Sequence, residues 1–154
     1  MQFLTILASA LALVSAAPSV KQASPSPLKI AKFCSNNGDI LTPTSVDITD
    51  PIKKGGDVVF KLIGTNSEPV GEGTTMDVSV KMGGIKVLEE TMDFCKEIQQ
   101  AGLSCPMPAG PITIEKTIPL PAEILVGNYN VHVVMKTGAG KQVTCADATF
   151  KIVS

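Results

Sequence analysis

The chain of 154 residues contains no arginine and no tryptophan, and it has one histidine and one tyrosine. Without arginine it lacks the planar, two-pronged cation that binds phosphates and carboxylates most specifically. Thirteen lysines against fourteen acidic residues leave a net charge of -1, which argues against the basic surface that nucleic-acid binding requires. One histidine excludes every metal site built from several histidines. We therefore expect no metal, no other cofactor and no nucleic-acid partner.

Long hydrophobic runs are also missing from the sequence. The most apolar segment, residues 3–14, carries no charge but is too short to span a bilayer. Small residues follow it, as a signal peptidase requires, so residues 1–16 are predicted to be a secretory signal peptide. Residues 17–30 are rich in proline and serine, which indicates a flexible stem or pro-segment. Residues 31–154 are predicted to form one domain, secreted or in the vacuolar or lysosomal lumen.

The chain has four cysteines, and an even number in a secreted protein implies disulfides. Three pairings of Cys34, Cys95, Cys105 and Cys145 are possible. We predict Cys95–Cys105, which closes a short local loop, and Cys34–Cys145, which would join the first strand to the last. The paired CxxC spacing of a structural zinc site is missing from the sequence.

The hydrophobic pattern from residue 40 onward has a period of two, which is typical of strands. Two alternating runs on either side of Gly83-Gly84 predict a β-hairpin. Only residues 93–101 are compatible with a helical turn. About seven strands with short connections predict an all-β fold, an antiparallel β-sandwich. The segments that predict strands are residues 40–49, 57–62, 76–82, 85–88, 112–115, 129–135 and 142–153.

Alternation along these strands sorts the side chains into an apolar set that points between the sheets and a polar set that points to solvent. Lys116 departs from this pattern. It occupies an alternate position in line with Ile112 and Ile114, so it falls on the apolar side of its strand. Either a bulge intervenes or the strand has left the core at that point. His132 falls on the polar parity, which predicts an ordinary surface residue.

The sequence shows no constellation of catalytic residues. Nothing places a serine nucleophile beside His132. Glu89, Glu90 and Asp93 lie near Cys95 in a stretch that is predicted to be a solvated acidic loop, and no glycine-rich loop opens a helix. We therefore expect that the protein is not an enzyme.

Short segments follow one another in a distinctive order along residues 31–153. The segments are Phe33-Cys34-Ser35, Gly38-Asp39-Ile40-Leu41, Val46-Asp47-Ile48, Lys54-Gly55-Gly56-Asp57, Val78–Lys86, Asp93-Phe94-Cys95, Cys105-Pro106, Gly110-Pro111, Pro119-Leu120-Pro121, Gly127–Val131 and Val143–Asp147. In this order the chain resembles the ML lipid-recognition family, which includes the small Niemann-Pick type C sterol carrier, and above all the fungal phosphatidylglycerol/phosphatidylinositol transfer proteins. The resemblance implies an immunoglobulin-like sandwich whose sheets splay to admit a lipid, the same two disulfides and no catalytic residues.

The resemblance, together with the apolar side chains that alternation places between the sheets, predicts a soluble lipid-binding and lipid-transfer protein. We expect it to carry a phospholipid or a sterol between its sheets. We expect a monomer that contacts membranes transiently. The alternative is a secreted recognition or adhesion module with a filled core and no ligand. Lys86, Lys96 and Lys116 are candidates for meeting an anionic head group, as point charges. The predicted lining of the cavity is Leu62, Met76, Val78, Val80, Val87, Ile114, Val131, Val133 and Met135.

Overall fold

The computed structural model describes residues 31–154, so the predicted signal peptide (residues 1–16) and stem (residues 17–30) lie outside the described residues. No helix in the described part is long and apolar enough to cross a membrane. The elements in chain order are β1 (Ala31–Phe33), β2 (Leu41–Ile48), β3 (Ile52–Lys53), β4 (Asp57–Asn66), β5 (Thr75–Met82), β6 (Ile85–Asp93), α1 (Phe94–Gln99), β7 (Gly110–Pro119), β8 (Gly127–Lys136) and β9 (Gln142–Val153).

These strands form two sheets of unequal width. The large sheet has the order β1-β9-β8-β5-β6, with the short β3 paired to β9, and the small sheet has the order β2-β4-β7. All pairs are antiparallel except β3 with β9. The predicted all-β sandwich is confirmed, and the predicted helical turn is α1. A sheet of three strands cannot cover the whole inner face of the large sheet. Part of that face is therefore left without a facing strand.

Local sequence explains the hairpin between β5 and β6. Gly83 and Gly84 have φ angles of 55° and 86°, in the left-handed region that only glycine adopts without strain. Successive residues of this kind form the tight turn whose twist matches that of the flanking strands. The turn therefore places β6 at the outer edge of the large sheet, beside β5.

Both predicted disulfides are confirmed. Cys34–Cys145 joins the residue after β1 to β9, and the backbone nitrogen of Cys34 donates to the carbonyl oxygen of Cys145 at 3.1 Å. Cys95–Cys105 ties α1 to the segment that leads into β7. The first bridge spans 111 residues and the second only 10, so the first restrains the unfolded chain far more.

The buried apolar residues form two clusters at opposite ends of the sandwich. One cluster surrounds α1 and includes Phe94, Ile98 and Val143. The other surrounds Tyr129 and Ile152. Tyr129 donates its hydroxyl hydrogen to the carbonyl oxygen of Leu125 at 2.7 Å, so its polar end is satisfied. The core is therefore divided, and part of the middle of the sandwich belongs to neither cluster.

Gly64 is a point of close packing between β4 and β2. A Cβ atom at this position would lie 2.8 Å from Cδ1 of Leu41 and 2.8 Å from the carbonyl oxygen of Thr42. We expect Gly64→Ala to lower the free energy of unfolding by about 1–3 kcal/mol, because backbone atoms of β2 have to move. Urea denaturation measures this, with the exposed Thr65→Ala as control. A Gly64→Ala midpoint equal to that of the control would contradict it.

Candidate functional site

The inner face of the large sheet is a continuous apolar surface. In the pairing of β5 with β8, four apolar residues of one strand lie opposite four of the other. The pairs are Met76 with Met135, Val78 with Val133, Val80 with Val131, and Met82 with Tyr129. Directly paired residues point to the same side of a sheet. On β9 the same face continues with Thr144, Ala146, Ala148 and Phe150. On the small sheet, Leu62 and Ile114 are paired and buried.

The middle of this inner face is not packed against the core. Val78, Val131 and Val133 belong to neither apolar cluster of the described residues, and each is only half-buried although it lies on a central strand. In a filled sandwich, apolar residues at such positions interdigitate with the opposite sheet and are buried. These three valines therefore mark a part of the inner face that is less covered than the two clusters, and we call the region between the sheets beside them the slot.

The slot is closed along one side and open along the other. The most extensive backbone contacts between the sheets join β2 to β9 and β3 to β4. The strands on the opposite side, β6 and β7, are edge strands of different sheets. Every residue of β6 from Ile85 to Thr91 is exposed. We call the gap between β6 and β7 the opening.

An ion pair lies at one end of the opening. Lys116 is paired with Phe60 in an uninterrupted register, so it stays on the inner face of β7. A bulge, one of the two explanations offered by the sequence, does not apply here, whereas the strand does leave the core beyond this point, since Ile118 on the same face is 42% exposed. Its ammonium group binds the carboxylate of Glu97 on α1, and each of these side chains is about one-quarter exposed. The pair therefore links α1 to β7 beside the slot.

Helix α1 holds its place through its first residues. The carboxylate of Asp93 accepts a hydrogen bond from the backbone nitrogen of Lys96 and caps the helix. Phe94, Cys95 and Ile98 are buried in the neighbouring core cluster. Glu97 is thereby left on the side of the helix that reaches Lys116.

The predicted lining needs a correction on β6. The register shifts after the pair Val80–Leu88, so that Val87 is the extra residue of a bulge and is 51% exposed. The sequence prediction placed Val87 in the lining, because alternation was counted through the bulge. The residues that share the inner face with Val80 and Val78 are Leu88 and Glu90. Glu90 is exposed, as predicted, but it lies on the strand β6 and not in the predicted loop.

The three candidate lysines do not come together. Lys86 pairs with Lys81 on the outer face of β6, and its ammonium lies 2.7 Å from a carboxylate oxygen of Glu89. Lys96 is exposed on α1. Of the three, only Lys116 lies on the inner face of a strand. A combined positive patch at the slot is therefore not formed by these residues.

Several large apolar side chains on the two edge strands and just before β8 are exposed. Leu88 is 45% exposed and Ile118, on the inner face of β7, is 42% exposed. Ile85 is 71% exposed and pairs with Met82. The side chain of Met82 lies beside Gly127. Leu125 and Val126 immediately precede Gly127 and are 62% and 53% exposed. Large exposed apolar patches are typical of ligand or interaction surfaces.

Two surface hollows lie elsewhere. One of about 430 Å³ covers the outer face of the large sheet around Asn130 and His132, and one of about 290 Å³ lies beside Asp50 and Phe150. Val78 and Val133 line neither of these hollows. His132 is exposed, as predicted, with its Nδ1 2.7 Å from Oδ1 of Asp147.

Metal-ligand geometry occurs at one place in residues 31–154. Cys34, Cys145 and His132 bring potential ligand atoms within 4.8 Å of one another. The two sulfur atoms are joined in the disulfide, so neither is the thiolate that a metal ion requires. This group is therefore not a metal site in the oxidised protein.

Comparison with known families and proteins shows clear similarity. The family model described as ML domain matches residues 30–152. A phosphatidylglycerol/phosphatidylinositol transfer protein of Aspergillus fumigatus is 38% identical over 125 residues, covering 78% of this chain and 71% of the relative. Its namesake in Emericella nidulans is 35% identical over 119 residues, covering 76% and 70%.

Solved structures show the same fold at low identity. A Niemann-Pick type C2 protein from the Japanese carpenter ant superposes with a TM-score of 0.64 at 14% identity, covering 80% of this chain and 99% of that protein. Chicken MD-1, whose structure was solved in complex with lipid IVa, gives a TM-score of 0.54 at 21% identity, covering 79% and 86%. The sandwich with its two unequal sheets is thus a known architecture.

Proposed function

Because this chain belongs to the ML domain family, we propose that it is a lipid carrier that holds a phospholipid or a sterol in the slot between its sheets and transfers it between membranes. The observation that carries the proposal is the half-buried state of Val78, Val131 and Val133 on central strands. The relatives named phosphatidylglycerol/phosphatidylinositol transfer proteins support phospholipid as the ligand class.

The energetics favour an acyl chain in the slot. Each CH₂ group transferred from water to an apolar environment gains roughly 0.8 kcal/mol, so a long acyl chain gains on the order of 10 kcal/mol before entropy losses. The proposed lining is the predicted set without Val87 and with Leu88 added. Residues of that set outside the two buried clusters can separate without breaking the core at either end.

The opening is the proposed path of the lipid. Ile85, Leu125 and Val126 are exposed apolar residues near its end, and we propose that they contact the membrane surface during transfer. The head group then stays at the opening while the acyl chains lie between the sheets. Chemistry on the lipid is not required, so the protein acts as a carrier and not as an enzyme.

Two disulfides support an oxidising compartment, so we propose that the protein is secreted or lies in the vacuolar or lysosomal lumen. We propose that the carrier acts as a monomer, because one slot within one chain is sufficient to hold the lipid.

Organic extraction tests the function directly. We expect purified protein to release about one lipid per chain, because it has one slot of this kind. Lipid mass spectrometry, with protein quantified in the same sample, gives the ratio. A recognition module with a filled core would release no stoichiometric lipid, and that result, repeated after incubation with vesicles, would rule out the carrier.

A further inference from the structure

The long-range disulfide lies on the outer face of the large sheet, beside the single histidine. In the register of β8 with β9, Asp147 lies opposite His132, and Cys145 is two residues from Asp147 on the same face. Cys34 follows β1, which pairs with β9 on the side away from β8. A ring nitrogen of His132 and the two sulfur atoms all lie within 4.8 Å of one another. Three adjacent strands thus bring two sulfur atoms and an imidazole together.

A neighbouring carboxylate orients this imidazole. Nδ1 of His132 lies 2.7 Å from Oδ1 of Asp147. A hydrogen bond of this kind fixes the orientation of the ring and leaves its other nitrogen available, and carboxylate–histidine pairs have this role at many zinc sites. Both side chains are about half exposed and line the hollow of about 430 Å³ on the outer face. An ion can therefore reach the imidazole from solvent.

The oxidation state of the two cysteines decides what this group can bind. In the disulfide neither sulfur is a thiolate. A dithiol that transfers two electrons and two protons to the bridge becomes a disulfide itself and leaves two thiols at this place. Two thiolates bound to one tetrahedral zinc ion lie about 3.8 Å apart, because each Zn–S bond is about 2.3 Å long. The sulfur atoms therefore need only a small separation to become ligands.

We propose that the reduced protein binds one zinc ion through Cys34, Cys145 and His132, with Asp147 as the residue that positions the histidine. Thiolate and imidazole are the ligands that zinc prefers, and a water molecule completes the tetrahedron. Binding releases the two thiol protons to solvent. The ion joins the end of β1 to β9, as the disulfide does in the oxidised protein, and adds a link to β8.

The site is separate from the proposed lipid slot, because it lies on the opposite face of the large sheet. The sequence contains no paired CxxC spacing, since the three ligands come from three different parts of the chain. A simpler role of His132 is that of a surface residue beside a structural disulfide. The two roles differ in the reduced protein, where only a ligand changes the affinity for zinc when it is replaced.

The test is zinc binding before and after reduction. A phosphine reduces the protein under anaerobic conditions, since a dithiol itself binds zinc. Water supplies the oxygen of the phosphine oxide and the two thiol protons. Titration with zinc against a chromogenic chelator measures stoichiometry and affinity. We expect reduced wild type to bind one zinc ion per chain with a Kd below about 1 µM, and the oxidised protein to bind none under these conditions.

Variants identify the ligands. His132→Ala should weaken zinc binding by at least about tenfold, and Asp147→Asn by roughly tenfold or more. Asp77→Asn is the matched control, because Asp77 is another outer-face carboxylate that accepts a hydrogen bond from a neighbouring strand, and it should leave the affinity unchanged. Reduction also opens Cys95–Cys105. A variant with serine at both positions of the long-range bridge therefore shows what the second cysteine pair binds.

Urea unfolding gives a second readout. Zinc at about 100 times its Kd should raise the midpoint of reduced wild type by about 1 M, and that of reduced His132→Ala far less. The oxidised protein should not respond. The proposal is overturned if reduced wild type binds no zinc, if His132→Ala keeps wild-type affinity, or if the double serine variant binds zinc as tightly as wild type.

Discussion

A phenylalanine in place of Val131 is expected to abolish stoichiometric lipid binding in a protein that still folds. Val131 lies on the inner face of the central strand β8, opposite Val80 on one side and the small Ala148 on the other. It is half-buried and packs against neither core cluster. The added ring therefore enters the slot and occupies space that the acyl chain requires, without displacing a buried side chain.

The measurement is lipid bound per chain after incubation with vesicles, together with a urea unfolding curve. We expect bound lipid to fall at least about tenfold, and the free energy of unfolding to change by less than about 1.5 kcal/mol. His132→Phe is the matched control, because it adds the same ring to the same strand on the exposed outer face. Wild-type lipid binding by a folded Val131→Phe variant would place the ligand elsewhere.

Removal of the long-range disulfide is expected to have the largest effect on stability. Replacing Cys34 and Cys145 by alanine frees a loop that spans 111 residues, which costs about 5 kcal/mol on the loop-entropy model. Replacing Cys95 and Cys105 by alanine frees only 10 residues and costs about 3 kcal/mol on that model. The first loss is at least about a third of the 5–15 kcal/mol that typically stabilises a small domain.

Urea denaturation of the two double variants under identical conditions compares these losses. Because Cys95 is a buried residue of α1, its replacement also leaves unfilled core volume, which works against the expected order. A larger loss for the Cys95–Cys105 pair would therefore show that packing around α1 outweighs loop entropy. The lipid content of the variants adds a second readout, since the Cys95–Cys105 bridge holds the helix that carries Glu97.

Much of the sandwich follows from short-range patterns. The strands β4, β5, β7 and β8 were predicted from alternation, because a strand with one face in the core needs apolar residues at every second position. Gly83-Gly84 predicted the hairpin, since this turn requires left-handed backbone. The residues of each of these patterns are neighbours along the chain. The strands and the hairpin can therefore be predicted without knowing which distant residues they contact.

The β6 strand shows where such patterns stop being informative. As an edge strand it pairs with one neighbour, and its inner face is uncovered. Its inward positions are therefore not required to be apolar. Ile85 and Val87 alternate as if both pointed inward, yet a bulge moves Val87 out of the lining. The position of Glu90 on the inner face depends on that bulge, and the bulge is defined only by pairing with β5.

The sequence by itself determined the fold class, the hairpin and the disulfide pairing, because alternation, turn chemistry and loop length act along the chain. The tertiary structure decided the shape of the site: which edges face each other, which of three lysines points inward, and which acid binds it. Lys116 and Glu97 belong to separate elements 19 residues apart, and they meet only because α1 packs against the edge of the sandwich. Contacts of this kind depend on how two sheets of unequal width are superposed, and no local pattern encodes that geometry.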